Sequence, residues 1–267
     1  EGAGEVEDGA PAPRAGTEGM RFQSSDAGNA ERLATYFSDR LRYCPELAKW
    51  LYWRGDRWLL DEDGAVTRCA KQVGRRIRRA GENIDNETER GAVIKWGLQS
   101  ESARAIDAMI RLARSDLRLV IAASDLDSDP MRLGVENGTI NLHTGHLQAV
   151  DQQDYITKRA PVEFDPDAEC PRWLRYLEDV TGGDRDFIDF LRRVAGYCLT
   201  GLTNEQCLFI LHGRGGNGKS VFIRRLQTLL GDYAMVAPAE ILMKTNRGGG
   251  PTPDLARLKG ARLVVAS

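Results

Sequence analysis

Long apolar runs are missing from this chain: no stretch approaches the roughly 20 consecutive apolar residues of a membrane span. The N-terminal segment lacks the charged-then-apolar pattern of a secretory signal. No membrane partner is therefore expected. Cysteine is sparse and unpaired. Cys44, Cys69, Cys170, Cys198 and Cys207 are scattered, odd in number and without a C-x-x-C pair, which argues against a disulfide framework and a zinc site and fits a reducing cytoplasm. Histidine is scarcer still. His143 and His146 come nearest to a metal pair, but no carboxylate or thiol cluster accompanies them, and their Gly/Thr-rich setting reads as a surface turn. Charge of one sign is not in excess either: the net charge is −2, so any nucleic-acid surface must be a local patch. Nor do residues 1–200 offer a compact carboxylate set for nucleotide polymerisation. The Asp125, Asp127 and Asp129 run is the closest approach, and it reads as a cap on the turn before Pro130 rather than as a Mg²⁺ site.

What is present is more specific. Gly213-Arg214-Gly215-Gly216-Asn217-Gly218-Lys219-Ser220 is a complete G-x-x-x-x-G-K-[ST] loop. Glycines let such a backbone turn its N–H groups toward an anion. Lys219 is placed to reach the β- and γ-phosphates of a nucleoside triphosphate, and the Ser220 hydroxyl to ligate Mg²⁺. Residues 213–220, with Val221 next in the helix, form the expected nucleotide site, and Lys219 and Ser220 its catalytic pair. The flanks agree with the motif. The apolar run Cys207–His212 predicts a buried parallel strand. Val221, Phe222, Leu226, Leu229 and Leu230 fall at helical spacing, and Gly231 predicts the stop.

A length of 267 residues predicts about two domains. Residues 1–20, rich in Gly, Ala, Pro and Glu, read as a disordered acidic linker. A small α+β domain is expected over 21–165. It opens with a helix capped by Asp26, and a β-hairpin carries Trp50, Trp53 and Trp58, which read as a mini-core rather than a base-stacking platform. Helix is expected over most of 68–118, with Val93, Ile94, Trp96, Ile106, Met109, Ile110 and Leu112 inside. A strand is expected at 117–122, and an Asn137-Gly138 turn lies between further short strands. Residues 166–203 read as a helical connector, with Trp173, Leu174, Leu177, Phe187, Ile188, Phe190, Leu191 and Val194 buried. The nucleotide-binding core is expected over 204–267.

Arg75, Arg76, Arg78 and Arg79 stand within five positions, in a span (68–118) holding 12 basic and 7 acidic residues. Two readings stand side by side: a solvated charged face, and a patch that contacts DNA phosphates.

Four stretches together resemble the phage- and plasmid-type primase–helicase family, whose motor belongs to superfamily 3. They are Asp26–Leu33; Lys95-Trp96 with Ser100-Glu101-Ser102; Asp125–Pro130 through Val135–Thr139 to Leu142–Gly145; and the Gly-Asn-Gly-Lys-Ser loop. Gly134 departs from the asparagine usual in that family. The resemblance implies a mixed α/β fold: a helix-rich α+β domain followed by a truncated, AAA+-like P-loop core. It implies an ATP- and Mg²⁺-dependent DNA helicase acting as a homo-oligomer, a hexameric ring by analogy, in the cytoplasm of a bacterial or phage-infected cell. In that family an acidic residue follows the strand Arg262–Ser267, and a polar sensor and an arginine finger come later. With Glu1 first and Ser267 last, a piece of a longer protein is expected, able to bind ATP and poor at hydrolysing it. The alternative is a DNA-binding or assembly module whose nucleotide site is regulatory or vestigial.

Overall fold

The computed structural model describes residues 22–239 and 258–266. The expected linker 1–20 and Asp254–Arg257, in the segment thought to lead into the last strand, lie outside the described residues. The architecture is mixed α/β, with helices and small sheets. By contact, the chain divides into two units. One takes residues up to Tyr52 with Leu60–Ala123, and the other takes Trp53–Leu59 with everything from Ser124 on. The sequence boundaries at 165 and 203 follow texture and motif, so the two divisions answer to different criteria.

In the first unit, α1 (Asp26–Phe37) is capped by Ser25, whose Oγ accepts from the Gly28 N–H at 3.1 Å. The expected cap, Asp26, sits one residue inside, where its carboxylate favours the positive end of the helix dipole. Strand β1 (Leu41–Cys44), which the sequence reading missed, pairs antiparallel with β2 (Lys49–Trp53) from Leu41↔Tyr52 to Cys44↔Lys49. The strand expected at 117–122 is reduced to one bridge: Tyr43 N–H donates to Leu119 O at 2.7 Å and Ile121 N–H to Tyr43 O at 3.0 Å. Three helices fill the span expected to be helical: α2 (Ala65–Glu82), α3 (Glu87–Ser100) and α4 (Ala103–Ala113).

Helices α2 and α3 approach closely because small residues meet at their contact. A Cβ on Gly97 would lie 2.8 Å from the Arg78 nitrogen, and one on Gly74 would lie 3.1 Å from the Gly97 carbonyl. Leu33, Ala34, Phe37, Val73, Ile77, Ile106, Met109 and Leu119 close one core. Leu112, expected inside, is exposed, because α4 turns only its Ile106–Met109–Ala113 stripe inward.

That core encloses a polar knot. Asn29 donates to Ser100 Oγ at 2.9 Å and accepts from Trp96 Nε1 at 3.3 Å and Arg32 at 3.2 Å. Ser100 in turn donates to Trp96 O at 2.8 Å. Arg32, only 2% exposed, also donates to the carbonyls of Phe22 and Gln23, and burial lowers its pKa. A buried cation is tolerated when its terminal nitrogens find acceptors, as Arg32 Nη1 and Nη2 do.

In the second unit the hairpin tip leads into β3 (Trp58–Leu60), and Arg54 N–H donates to Arg57 O at 3.0 Å across the turn. Trp58 is fully buried. Its Nε1 donates to Gln152 O at 3.0 Å, with the Trp53 and Tyr155 rings 5.6 and 5.9 Å away. Trp50 packs against Tyr43 in the first unit, so the tryptophans serve as core. Strands β4 (Arg132–Val135), β5 (Gly138–Asn141) and β6 (His146–Gln148) form an antiparallel meander. The β4–β5 turn is Glu136-Asn137, one residue earlier than expected, because Asn137 exchanges two 2.9 Å hydrogen bonds with the Phe164 backbone.

Gly134 has a physical reason. A Cβ there would lie 2.8 Å from Lys158 O, and its N–H donates at 3.0 Å to Tyr233 Oη, which itself donates to Lys158 O at 2.9 Å. Arg262 lies 4.5 Å over the Tyr233 ring and donates to the carbonyls of Leu199 and Arg132. Helices α5 (Pro171–Thr181) and α6 (Arg185–Tyr197) follow the meander, then α7 (Lys219–Leu230) with its cap at Gly231. Strand β7 (Ala234–Ala237) runs parallel to β8 (Leu263–Ala266). Leu174, Phe187 and Phe190, expected to be buried, are 52%, 47% and 43% exposed.

Candidate functional site

Glycine conformation shapes the loop 213–220. Gly213, Gly216 and Gly218 have φ of +146°, +76° and +85°, in the region that side-chain-bearing residues avoid. The chain then enters α7 at Lys219, with Gly218 as N-cap and no side-chain cap. Lys219 and Ser220 thus occupy the first two helical positions, where the helix dipole is positive. Among the described residues the amides of Gly216, Gly218, Lys219 and Ser220 donate to no protein acceptor. A helix N-terminus with unspent N–H groups and a lysine suits an anion. The half-buried Lys219 folds back on the loop: Nζ donates to Gly213 O and Arg214 O at 3.0 Å and to Asn217 Oδ1 at 2.5 Å. Ser220 and Val221 are exposed.

The loop is seated from below. Phe222 and Leu226 of α7 pack with Leu177 of α5, and Trp173 stacks on Phe222 at 5.7 Å and on Tyr176 at 5.1 Å. Tyr176 Oη donates to Gly218 O at 2.8 Å. The sequence reading named Trp173 and Leu177 as core and passed over Tyr176, because a tyrosine on a helix carries no sign of the loop it will meet 42 residues later.

The strand expected before the loop is corrected. Cys207–His212 forms no strand, and Leu208 and Ile210 are 66% and 81% exposed. An apolar run supplies strand composition, but a strand also needs a ladder partner, and none pairs with it among the described residues.

The four arginines separate. Arg76 lies 5.0 Å over the Tyr36 ring and 5.1 Å over Phe37, and Arg78 pairs with Glu101 at 3.4 Å. Arg75 and Arg79 are exposed and, with Lys71, recur every four residues along one face of α2. Of the acidic run, Asp129 serves the local turn, whereas Asp127 bonds to a residue 30 positions away. Asp127 accepts from Thr157 N–H at 2.7 Å and from its hydroxyl, while Asp129 accepts from Met131 N–H at 2.9 Å and pairs with Arg132 at 3.1 Å. Among the described residues no group of three or more His, Cys, Asp or Glu could hold a metal ion. His143 lies in a turn capped by Asn141.

The family model described as "D5 N terminal like" matches residues 30–182, more than half of the chain. The chain belongs to the D5 N terminal like family. This bears out the resemblance to the primase–helicase family. The match takes in Lys95–Ser102, Asp125–Gly145 and the second half of Asp26–Leu33, whereas the glycine loop lies beyond it. Its limit, residue 182, is the glycine that caps α5. Two viral proteins are similar to this D5 N terminal like chain. "Putative helicase L207/L206" of Acanthamoeba polyphaga mimivirus is 28% identical over 144 residues, 52% of this chain and 15% of that protein. "Putative helicase 121R" of Invertebrate iridescent virus 3 is 25% identical over 141 residues, 51% of this chain and 15% of that protein. The matched part is thus a small fraction of either relative. No helix among the described residues is long and apolar enough to cross a membrane.

Proposed function

We propose that the chain is the pre-helicase domain and nucleotide-binding start of an ATP-dependent DNA helicase for replication. Support comes from the family, from the helicase names of both viral relatives, and above all from the loop 213–220. The carrying observation is that three positive-φ glycines deliver Lys219 and Ser220 to the first turn of a helix whose leading amides are unspent. The donor set fits a triphosphate. The amides of Gly216, Gly218, Lys219 and Ser220 would hold phosphate oxygens at the α7 N-terminus, with Val221 next in the helix, and Lys219 would exchange its neutral acceptors for phosphate. That exchange is favourable because hydrogen bonds to ionised acceptors are about twice as strong as neutral ones. Ser220 would hold the Mg²⁺ that accompanies a nucleotide, and the ion would supply charge neutralisation at the phosphates.

Lys219 steadies negative charge at the γ-phosphate, and the glycine backbone fixes its position. Phosphoryl transfer asks the protein for placement and charge rather than covalent chemistry. In the whole protein the expected carboxylate, sensor and arginine finger complete the site across a homo-oligomeric ring, and unwinding follows from cycles of that ring. The 1–267 chain binds ATP and hydrolyses it slowly at most. Titration of the chain with ATP·Mg²⁺ by calorimetry tests this: one site is expected, lost in Lys219→Ala, and equal binding by that variant would overturn the reading.

A second reading keeps the same fold and assigns the chain to DNA binding or assembly, with the nucleotide regulatory. The exposed stripe Lys71, Arg75 and Arg79 favours it, since phosphate contacts from one helix face make affinity fall steeply with salt. Arg76 and Arg78 are spent on packing and contribute less.

A further inference from the structure

We propose that Tyr176 of α5 is a positioning residue for the phosphate loop. This rests on the nucleotide reading of 213–220. One peptide joins Gly218, the N-cap, to Lys219, the first residue of α7. A peptide unit is planar and trans, so its C=O and N–H point in opposite directions. Whatever fixes the Gly218 oxygen therefore aims the Lys219 N–H, one of the amides offered to phosphate. Three donors fix that oxygen: Val221 N–H at 2.9 Å, Phe222 N–H at 3.0 Å and Tyr176 Oη at 2.8 Å. The first two belong to α7 and move with it, whereas Tyr176 belongs to another helix and anchors the junction from outside. Gly218 has no side chain with which to cap α7, and the external hydroxyl fixes its carbonyl instead.

The anchor is rigid. The Tyr176 ring stacks on Trp173 at 5.1 Å with planes 27° apart, and Trp173 stacks on Phe222, inside the first turn of α7, at 20°. Leu177, the next residue, is 1% exposed against the same core. Contact with the loop is as close as glycine permits: a Cβ on Gly218 would lie 2.5 Å from Val180 Cγ1 and 2.9 Å from Tyr176 Oη. Burial raises the Tyr176 pKa, which keeps the hydroxyl a donor. The family match ends at the residue that caps α5, so the last helix of the matched segment carries the group that aims a loop outside it.

Tyr176→Phe removes one oxygen and leaves the aromatic stack. Calorimetric titration of the 1–267 chain with ATP·Mg²⁺ reads affinity and stoichiometry separately. The expected result is a Kd raised about 3- to 10-fold at unchanged stoichiometry, the loss of one hydrogen bond of about 0.5–1.5 kcal/mol. Tyr176→Gln, which returns a donor without the ring, should recover part of the affinity. A Kd equal to that of the unmodified chain overturns the proposal, as does reduced stoichiometry at unchanged Kd, the mark of a merely structural role. Lys219→Ala separates the two claims. If it abolishes binding while Tyr176→Phe changes nothing, the nucleotide reading stands and the positioning role falls. If Lys219→Ala binds normally, the nucleotide reading itself falls.

Discussion

The polar knot of the first unit and the glycine loop 213–220 of the second are both short constellations of polar residues, and they meet opposite fates. Asn29, Arg32, Trp96 and Ser100 turn inward, satisfy one another and disappear from solvent almost entirely, Trp96 excepted. The residues of 213–220 stay at the surface, with leading amides uncommitted and a lysine bonded only to neutral oxygens. The contrast teaches that a recognisable motif is not by itself a site. Asp26–Leu33 and Lys95–Ser102 are distinctive, and in this fold they join α1 to α3 through one buried network. Chemistry toward a ligand needs donors that the fold has left unspent.

The comparison can be broken most strongly at the knot. Asn29→Ala removes the partner of Ser100, Trp96 and the buried Arg32 at once. It should cost about 3 kcal/mol, because stranded buried polar and charged groups cost more than the bond that is lost. Urea denaturation of the chain measures it, and a loss below about 1 kcal/mol would mean that water enters and replaces the network. Nucleotide affinity of the folded fraction should not change.

Tyr233→Phe is next. It leaves the Gly134 N–H without its acceptor and should cost about 1–2 kcal/mol. The same hydroxyl carries a pH signature. Burial pushes its pKa up to about 12, above the ordinary tyrosine value of 10.0. The folded state therefore holds its proton after the unfolded chain has released it, and the stability it contributes falls as pH rises from about 10 toward 12. Thermal melts across that window should show a shallower decline for Tyr233→Phe than for the unmodified chain.

The smallest effects on stability are expected at the exposed cations. Arg75→Ala with Arg79→Ala should shift stability by no more than about 0.5 kcal/mol. It should weaken any DNA binding measurably and flatten its salt dependence by about two phosphate contacts, read by fluorescence anisotropy at several salt concentrations. Arg76→Ala sharpens the comparison in the opposite sense. It should cost about 1 kcal/mol of stability by removing a cation–π contact and apolar stem packing, with little change in salt slope. Unchanged DNA binding in the Arg75/Arg79 double variant would leave the stripe a solvated face.

Legibility followed the range of the interactions. The helices over 65–113 and 171–197, the α7 helix with its Gly231 stop, the Trp53–Trp58 hairpin and the turn chemistry of Asp129 were all readable, because capping, periodicity and turn propensity act within a few residues. Cys207–His212 was misread, since ladder pairing is decided elsewhere in the chain. Four adjacent arginines look alike in sequence. Only the neighbours of each, Tyr36, Phe37 and Glu101, separate framework from surface.

Local pattern alone specifies the loop and its helix, because G-x-x-x-x-G-K-S encodes backbone freedom, a cation and a hydroxyl at fixed local offsets. The order of motifs along the chain specifies the family. Tertiary structure decided which polar groups are spent. It placed the Tyr176 hydroxyl on Gly218, Asn29 against Ser100 and the Tyr233 hydroxyl on Gly134, pairs 42, 71 and 99 residues apart. No local rule joins residues at such distances. Packing of the helices and strands brings them together, and the cost of burying an unpaired polar group fixes how they meet.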